Sequence, residues 1–248
     1  MCGRFVASRP VEEIVEEFAV DEVRLPEELL AGPRFNVAPQ AEVLGVREVE
    51  RHEDGALERR LGSYRWGLVP SWAKDPRIGA RAFNARADTL VERPMFRTAV
   101  AKRRLIIPAD GFYEWQRLEG SGRKAVRQPW CFRRADGHLM GFAGLYELWR
   151  PRDASTGEPE GDWLRTCTII TTDANKLMAP IHDRMPVVLG PEQYEQWLEP
   201  GPIEPGLLTE LLAPAPEDFL VGYEVSREVS DARSEGPQLV EPLEQELG

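Results

Sequence analysis

Four short stretches of this 248-residue chain carry side chains that could do covalent chemistry. They are MCGRF (1–5), FNARADT (83–89), IIPADGFYEW (106–115) and IHDRMPVVL (181–189). Each holds one reactive or hydrogen-bonding group at the end of an element: Cys2, Asn84, Glu114 and His182. Cys2 has the most distinctive potential. If Met1 is removed, Cys2 carries a free α-amine beside its thiol, and a usable fraction of that amine is uncharged at neutral pH. Such a 1,2-aminothiol captures an aldehyde in two steps: the amine forms a Schiff base, then the sulfur closes a five-membered thiazolidine on the same carbon. Amines and thiols both serve as covalent catalysts. Taken singly, each residue also has a plain explanation. Cys2 is an accident of sequence, Asn84 caps a turn, Glu114 is the outward residue of a strand, and His182 joins a surface cluster with Asp183 and Arg184.

Composition narrows the field. A 42% hydrophobic and 29% charged chain is ordinary for a globular protein. No apolar run reaches membrane-spanning length, and no signal peptide, lipoprotein leader or myristoylation site is expected. Three cysteines (Cys2, Cys131, Cys167) suit a reducing cytoplasm more than a disulfide framework. Neither they nor His52, His138 and His182 show metal-ligand spacing, so no metal and no cofactor is expected. The net charge of −11 argues at first against nucleic acid, but the excess is local. Residues 191–248 hold 14 acidic and 2 basic side chains, whereas residues 60–104 hold 11 Lys/Arg against 3 Asp/Glu. A polyanion responds to that local field; the plain alternative is a solvated basic face.

The positioning elements follow from pattern. Val11, Ile14, Val15 and Phe18 recur at helical spacing behind Pro10, which predicts a helix. Residues 32–41 read as loop. Strands are expected at 42–49, 61–68, 104–108, 111–116, 130–134, 138–149, 165–171 and 219–225. Ala135-Asp136-Gly137 reads as a hairpin turn between two of them. Residues 66–90 read as a long functional loop, and 117–128 and 150–163 as polar loops. Short helices are expected near 91–100, 173–178, 191–198 and 205–213. The sum is an α+β single domain over 1–248, with a curled, mainly antiparallel, barrel-like sheet and peripheral helices.

Together, the four stretches and FNVAP (35–39), RWGLVPSW (65–72) and RPMF (93–96) resemble the SRAP family. These are abasic-site-processing proteins whose bacterial and human members crosslink to damaged single-stranded DNA. The likeness runs from Met1 to about Leu243. It implies that Cys2, exposed by self-processing of Met1, forms a thiazolidine with the ring-opened aldehyde of an abasic site. It implies that Asn84 holds the N-terminal residue, that Glu114 acts as general acid and base, with lyase chemistry as a further outcome, and that His182 assists proton transfer at the sugar oxygen. Arg4, Arg86 and Arg184 match the family's phosphate contacts, and Trp72 and Pro39 would offer flat surfaces to flanking bases. Trp66 is expected in the core. Asp88 stands where the family usually has glutamate, and Ser230 where it commonly has asparagine. The acidic C-terminal segment is expected to be folded, on a face away from DNA. The implied partner is abasic single-stranded DNA and not a membrane; the implied location is cytoplasmic, nucleoid-associated when bound to damaged DNA.

Three rivals remain open on the residues alone. An N-terminal-cysteine hydrolase, such as a glutamine amidotransferase domain, also begins Met-Cys-Gly, but needs an oxyanion hole and an amide substrate. A non-covalent single-strand-binding module would leave Cys2 idle and release DNA with salt. A peptidase built from Cys2, Glu114 and His182 would act on other proteins.

Overall fold

A computed structural model describes residues 2–30, 32–51, 53–119, 126–153 and 155–243. The expected α+β class and curled sheet are present. Five strands form a closed ring: β4 (Glu42–Glu50), β5 (Leu57–Trp66), β7 (Arg104–Ala109), β10 (Met140–Trp149) and β11 (Leu164–Asp173). They pair antiparallel in the order β11-β10-β7-β4-β5. A short parallel pairing of β5 with β11, at Arg65↔Thr166 and Trp66↔Cys167, closes it. Closure removes the two edges that an open sheet would present.

A second sheet has the order β14-β9-β8-β1-β3, from β1 (Phe5–Ala7), β3 (Arg34–Val37), β8 (Gly111–Glu119), β9 (Val126–Arg134) and β14 (Leu220–Glu224). The pleat of β7 shows how the two bodies share one core. Leu105, Ile107 and Ala109 pack with Cys2, Phe5, Phe112 and Phe142. Ile106, on the opposite face, packs with the helical residues Ile14, Phe18 and Trp197. Both faces are covered, which is why residues 105–109 read as one apolar run without alternation. The helices are short and peripheral: α1 (Val11–Glu17), α2 (Arg97–Lys102), α3 (Tyr194–Leu198) and α4 (Pro205–Leu211). Arg104 joins barrel to helix, its Nε donating to Trp197 O at 2.6 Å and its Nη1 to Gly201 O at 2.9 Å. The Trp197 carbonyl lies in the last turn of α3, where a helix leaves its carbonyls without intrahelical partners.

Several expectations need correction. Arg34–Val37 is a strand, not loop, because it pairs with β1 at Phe5↔Val37. The 66–90 segment, expected as loop, contains 3-10 helices at Pro76–Arg81 and Ala87–Thr89 and the strand β6 (Asn84–Arg86), held parallel to β11 at Asn84↔Ile169. The Asp136-Gly137 turn exists, with Gly137 at φ 78°, yet the strands it joins do not pair. β9 pairs with β8 and β14, while β10 pairs with β7 and β11. The turn therefore carries the chain from one sheet to the other. Helix α2 starts at Arg97 and not Val91, since Pro94 disfavours helical geometry at Arg93. No helix spans 173–178: Asp173 stays in β11, and Asn175 Oδ1 accepts from Met178 N–H at 3.0 Å, closing a turn instead. Strand β5 runs four residues earlier than expected and stops before Gly67, at φ 143°. A Cβ there would meet Gln40 Nε2 at 2.3 Å and Gly79 O at 2.5 Å. Of the expected 117–128 insertion, 117–119 belong to β8 and 126–128 to β9, paired at Arg117↔Arg127, while residues 120–125, like His52, lie outside the described residues. No described helix is long and apolar enough to cross a membrane.

Candidate active site

Strand β1 fixes the N-terminal residues. Phe5 is fully buried against Trp66 and Phe142, with ring centroids 5.2 and 6.0 Å away. β1 runs antiparallel to β8 in the register Phe5↔Phe112 and Val6↔Gly111, and the next rung is Tyr113 N–H donating to Arg4 O at 3.0 Å. Each step back along β1 is a step forward along β8. Cys2 and Gly3 therefore come alongside Glu114 and Trp115, a juxtaposition across 112 residues of sequence that no local spacing reveals.

Two further segments converge there. Asn84 opens β6, and its Nδ2 donates to the Cys2 carbonyl at 2.8 Å. His182 lies in the turn between β11 and β12 (Arg184–Pro186). That turn is pinned to β8 by Gln116 Nε2, which donates to Pro180 O at 3.4 Å. His182 Nδ1 stands 3.0 Å from the Arg184 backbone N–H and 2.9 Å from Asp183 Oδ1. The first partner suits a ring whose Nδ1 accepts, the second a ring whose Nδ1 donates. Which neighbour Nδ1 meets is therefore set by the tautomer of the ring.

The electrostatics join the same residues. Glu114 is 3% exposed, and burial raises its carboxyl above the ordinary range, opposed in part by the charge of His182. Burial also pushes the Cys2 thiol far up, and the Glu114 carboxylate adds to the shift. A buried acid of raised pKa and a thiol disfavoured as thiolate suit proton donation and addition to an iminium carbon better than attack by a preformed thiolate. The site brings Cys2, Asn84, Glu114 and His182 together.

The three arginines take different positions. Arg4 Nη1 donates to Asn36 Oδ1 at 2.7 Å and to Val229 O at 3.0 Å, and its guanidinium lies 5.7 Å from the Trp115 ring centroid. Arg86 is exposed and held by Asp88, at 3.1 and 2.6 Å. Arg184 is buried: its Nη2 donates to Thr171 O at 2.7 Å, its Nη1 pairs with Asp173, and Asp88 lies 4.0 Å away. Trp72 is 60% exposed, Pro39 is half-buried in the turn between β3 and β4, and Trp66 is core, its Nε1 donating to Phe83 O at 2.8 Å. Asp88, for all its shorter side chain, reaches Arg86 with both oxygens. Ser230 Oγ accepts from Trp115 Nε1 at 3.0 Å.

The C-terminal segment is folded through Leu243, but it packs beside this site. Its carbonyls at Val229, Asp231 and Ser234 accept from Asn36 Nδ2 at 3.3, 2.9 and 2.9 Å. Asn36 is the residue that sequence reasoning missed. It sits inside the quoted FNVAP stretch, and a buried-strand asparagine flanked by apolar residues was the available signal. Asp173, the partner of Arg184, gave no signal at all.

A family model described as SOS response associated peptidase (SRAP) matches residues 1–232. The chain is 43% identical over 241 residues to "Abasic site processing protein YoqW" of Bacillus subtilis (strain 168), covering 97% of this chain and 99% of that one. It is 31% identical over 230 residues to "Abasic site processing protein HMCES" of Xenopus tropicalis, covering 83% of this chain and 65% of that one. A solved structure of a protein from Bacteroides thetaiotaomicron shares the fold, with a TM-score of 0.80 at 24% identity over 98% of this chain and 100% of that one.

Proposed function

The chain belongs to the SRAP family, and from that premise we propose that it processes abasic sites in single-stranded DNA by forming a thiazolidine crosslink through Cys2. Two of its relatives are named for abasic-site processing. The observation that carries the finer reading is the Asn84–Cys2 bond of 2.8 Å, made where Glu114 is electrostatically coupled both to the thiol and to His182.

Removal of Met1 comes first, since an acylated nitrogen cannot form an imine. Loss of residue 1 must also open a path to the sulfur, because Cys2 is fully buried. The freed amine then adds to C1′ of the open-chain deoxyribose, and the carbinolamine loses water. Glu114, whose carboxyl pKa is pushed up by burial, gives the proton that lets hydroxide leave as water. The thiol adds to the iminium carbon, its proton passing to a nearby base as the nitrogen becomes a neutral ring amine. His182 relays protons at the sugar oxygen. Asn84 holds the Cys2 carbonyl, so that amine and thiol meet the aldehyde in one geometry.

The test is incubation of the protein lacking Met1 with a single strand bearing one abasic site, run on a denaturing gel. A retarded band is expected without added reductant, because a thiazolidine needs none. Binding that salt reverses, with no retarded band at any salt concentration, would favour the non-covalent rival.

A further inference from the structure

Asn36 has no part in the chemistry above, although it lies buried in β3, on the strand that pairs with β1. Its Nδ2 donates to three carbonyls of one segment, Val229, Asp231 and Ser234. An amide nitrogen only donates, so these bonds fix which way the amide faces and leave Oδ1 to accept. Oδ1 accepts from Arg4 Nη1 at 2.7 Å. The same Nη1 donates to Val229 O at 3.0 Å, a carbonyl that Asn36 Nδ2 also meets at 3.3 Å. Arg4, Asn36 and Val229 therefore close a triangle. A side chain serving only to tie down the C-terminal segment would not need its third corner.

The triangle holds a cation with neutral oxygens. Asp231 reaches Arg4 by charge, but makes no hydrogen bond to it and is itself bonded by Arg233, at 3.1 and 2.8 Å. The Trp115 ring, 5.7 Å from the guanidinium carbon, limits it on another side. Arg4 Nη2 meets no acceptor among the described residues, which leaves that edge for an incoming anion. A sugar at Cys2 carries a phosphate on either side, and Arg4 stands two residues, roughly 7 Å of extended chain, from that cysteine. A loose arginine would give up its rotamer freedom on gripping a phosphate; one already set gives up less.

We infer that Asn36 is a positioning residue for the reaction: it sets Arg4 for one backbone phosphate of the strand, and through it residues 229–234 become part of the binding site. That role rests on the abasic-strand reading above.

The experiment measures equilibrium binding, as a function of salt, to a short single strand with a central tetrahydrofuran, an abasic analogue with no aldehyde. Arg4→Met should bind about 10-fold more weakly than the wild type, the size of one hydrogen-bonded charge. Its plot of log affinity against log salt should be shallower by about 0.7, the share of one phosphate on a single strand. Asn36→Ala removes no charge, yet should show both changes, and should add nothing in the Arg4→Met background. Arg4→Lys keeps the charge and leaves Asn36 in place, but lacks the planar fork, and should bind nearer to Arg4→Met than to the wild type. An Asn36→Ala slope equal to that of the wild type, or a full further loss in the Arg4→Met background, overturns the inference and leaves Asn36 a structural residue. If the alanine variant does not fold, Arg4→Lys decides, and binding as tight as wild type overturns it. A wild type that does not bind the strand overturns the abasic-strand reading and this role with it. The analogue cannot crosslink, so failure of the covalent chemistry on natural abasic strands leaves these comparisons standing.

Discussion

The arginines on the two sides of Cys2 are held in opposite ways. On the side of the second sheet, Arg4 is wedged among neutral oxygens, the amide of Asn36 and the carbonyl of Val229, with the Trp115 ring nearby. On the barrel side, Arg86 and Arg184 are each held by carboxylates, Asp88 and Asp173. Burial lowers the pKa of Arg4, and the charge of Asp231 opposes that only in part, without a carboxylate hydrogen bond to the guanidinium among the described residues. A guanidinium already paired with a carboxylate must give up that partner to take a phosphate. The difference implies a division of labour in which Arg4 anchors an anion directly while Arg86 exchanges one anion for another.

Among the arginines, the largest effect expected is therefore at Arg4. Arg4→Ala removes the charge and also leaves Asn36 Oδ1 without its donor, a loss of about 1–3 kcal/mol where the acceptor is buried. Crosslinking should slow by about 100-fold, and Tm should fall by roughly 2–4 °C per kcal/mol lost. A variant with unchanged Tm and unchanged rate would dissolve the contrast with Arg86. At that residue, Arg86→Glu should weaken binding to intact and abasic strands alike by about 10-fold and flatten the salt dependence. It should leave Tm in place, because the side chain is exposed and its ion pair contributes little. Tight binding by this variant at moderate salt would remove the barrel side from the DNA path.

Glu114 distinguishes chemistry from anchoring. Its carboxyl pKa is raised in the folded protein. The folded state therefore holds a proton that the unfolded state has released, and stability falls as pH rises from the ordinary carboxylate range through the raised value. Glu114→Gln should abolish the acid step, yet raise Tm at neutral pH, with the gain vanishing at acid pH. A neutral-pH Tm below wild type would contradict the burial argument. The smallest effect is at Asp88. Asp88→Asn frees Arg86 and relieves Arg184 of a nearby anion, so single-strand affinity should rise by about 2- to 5-fold, the scale of one exposed ion pair. Weaker binding would mean that Asp88 aims Arg86 and does not compete with the phosphate.

The sequence made the reactive residues legible, but not what arranges them. Cys2, Asn84, Glu114 and His182 stood out because each interrupts a strand or loop end with a group the core does not need. Their convergence depends on the β1–β8 register and on the short parallel pairing of β6 with β11, both non-local. The same cause explains the two clearest misreadings. Arg34–Val37 looked like loop between prolines because its partner, β1, lies some thirty residues away. Asp136-Gly137 looked like a hairpin because turn chemistry is local, whereas the choice of partner strand is not. Trp66 and Trp72, six residues apart, were separable in advance. The first sits in an alternating strand pattern, the second among Pro, Ser and Lys. The packing of the C-terminal segment against Asn36 was not legible, because net charge says nothing of which backbone carbonyls a segment offers, and those at Val229, Asp231 and Ser234 are what Asn36 binds.

The central claim is that the nucleophile is the Cys2 amine, with the sulfur acting second. It is tested most directly by comparing two forms of the protein on the same abasic single strand: one lacking Met1, verified by mass spectrometry, and one carrying an uncleavable N-terminal extension. Both retain the thiol, Asn84, Glu114 and His182, but in the extended form the Cys2 nitrogen is an amide and cannot form an imine. The account expects a denaturation-resistant product from the first and none from the second, with or without borohydride trapping. Equal crosslinking by the two forms would contradict it, and would assign the chemistry to sulfur alone.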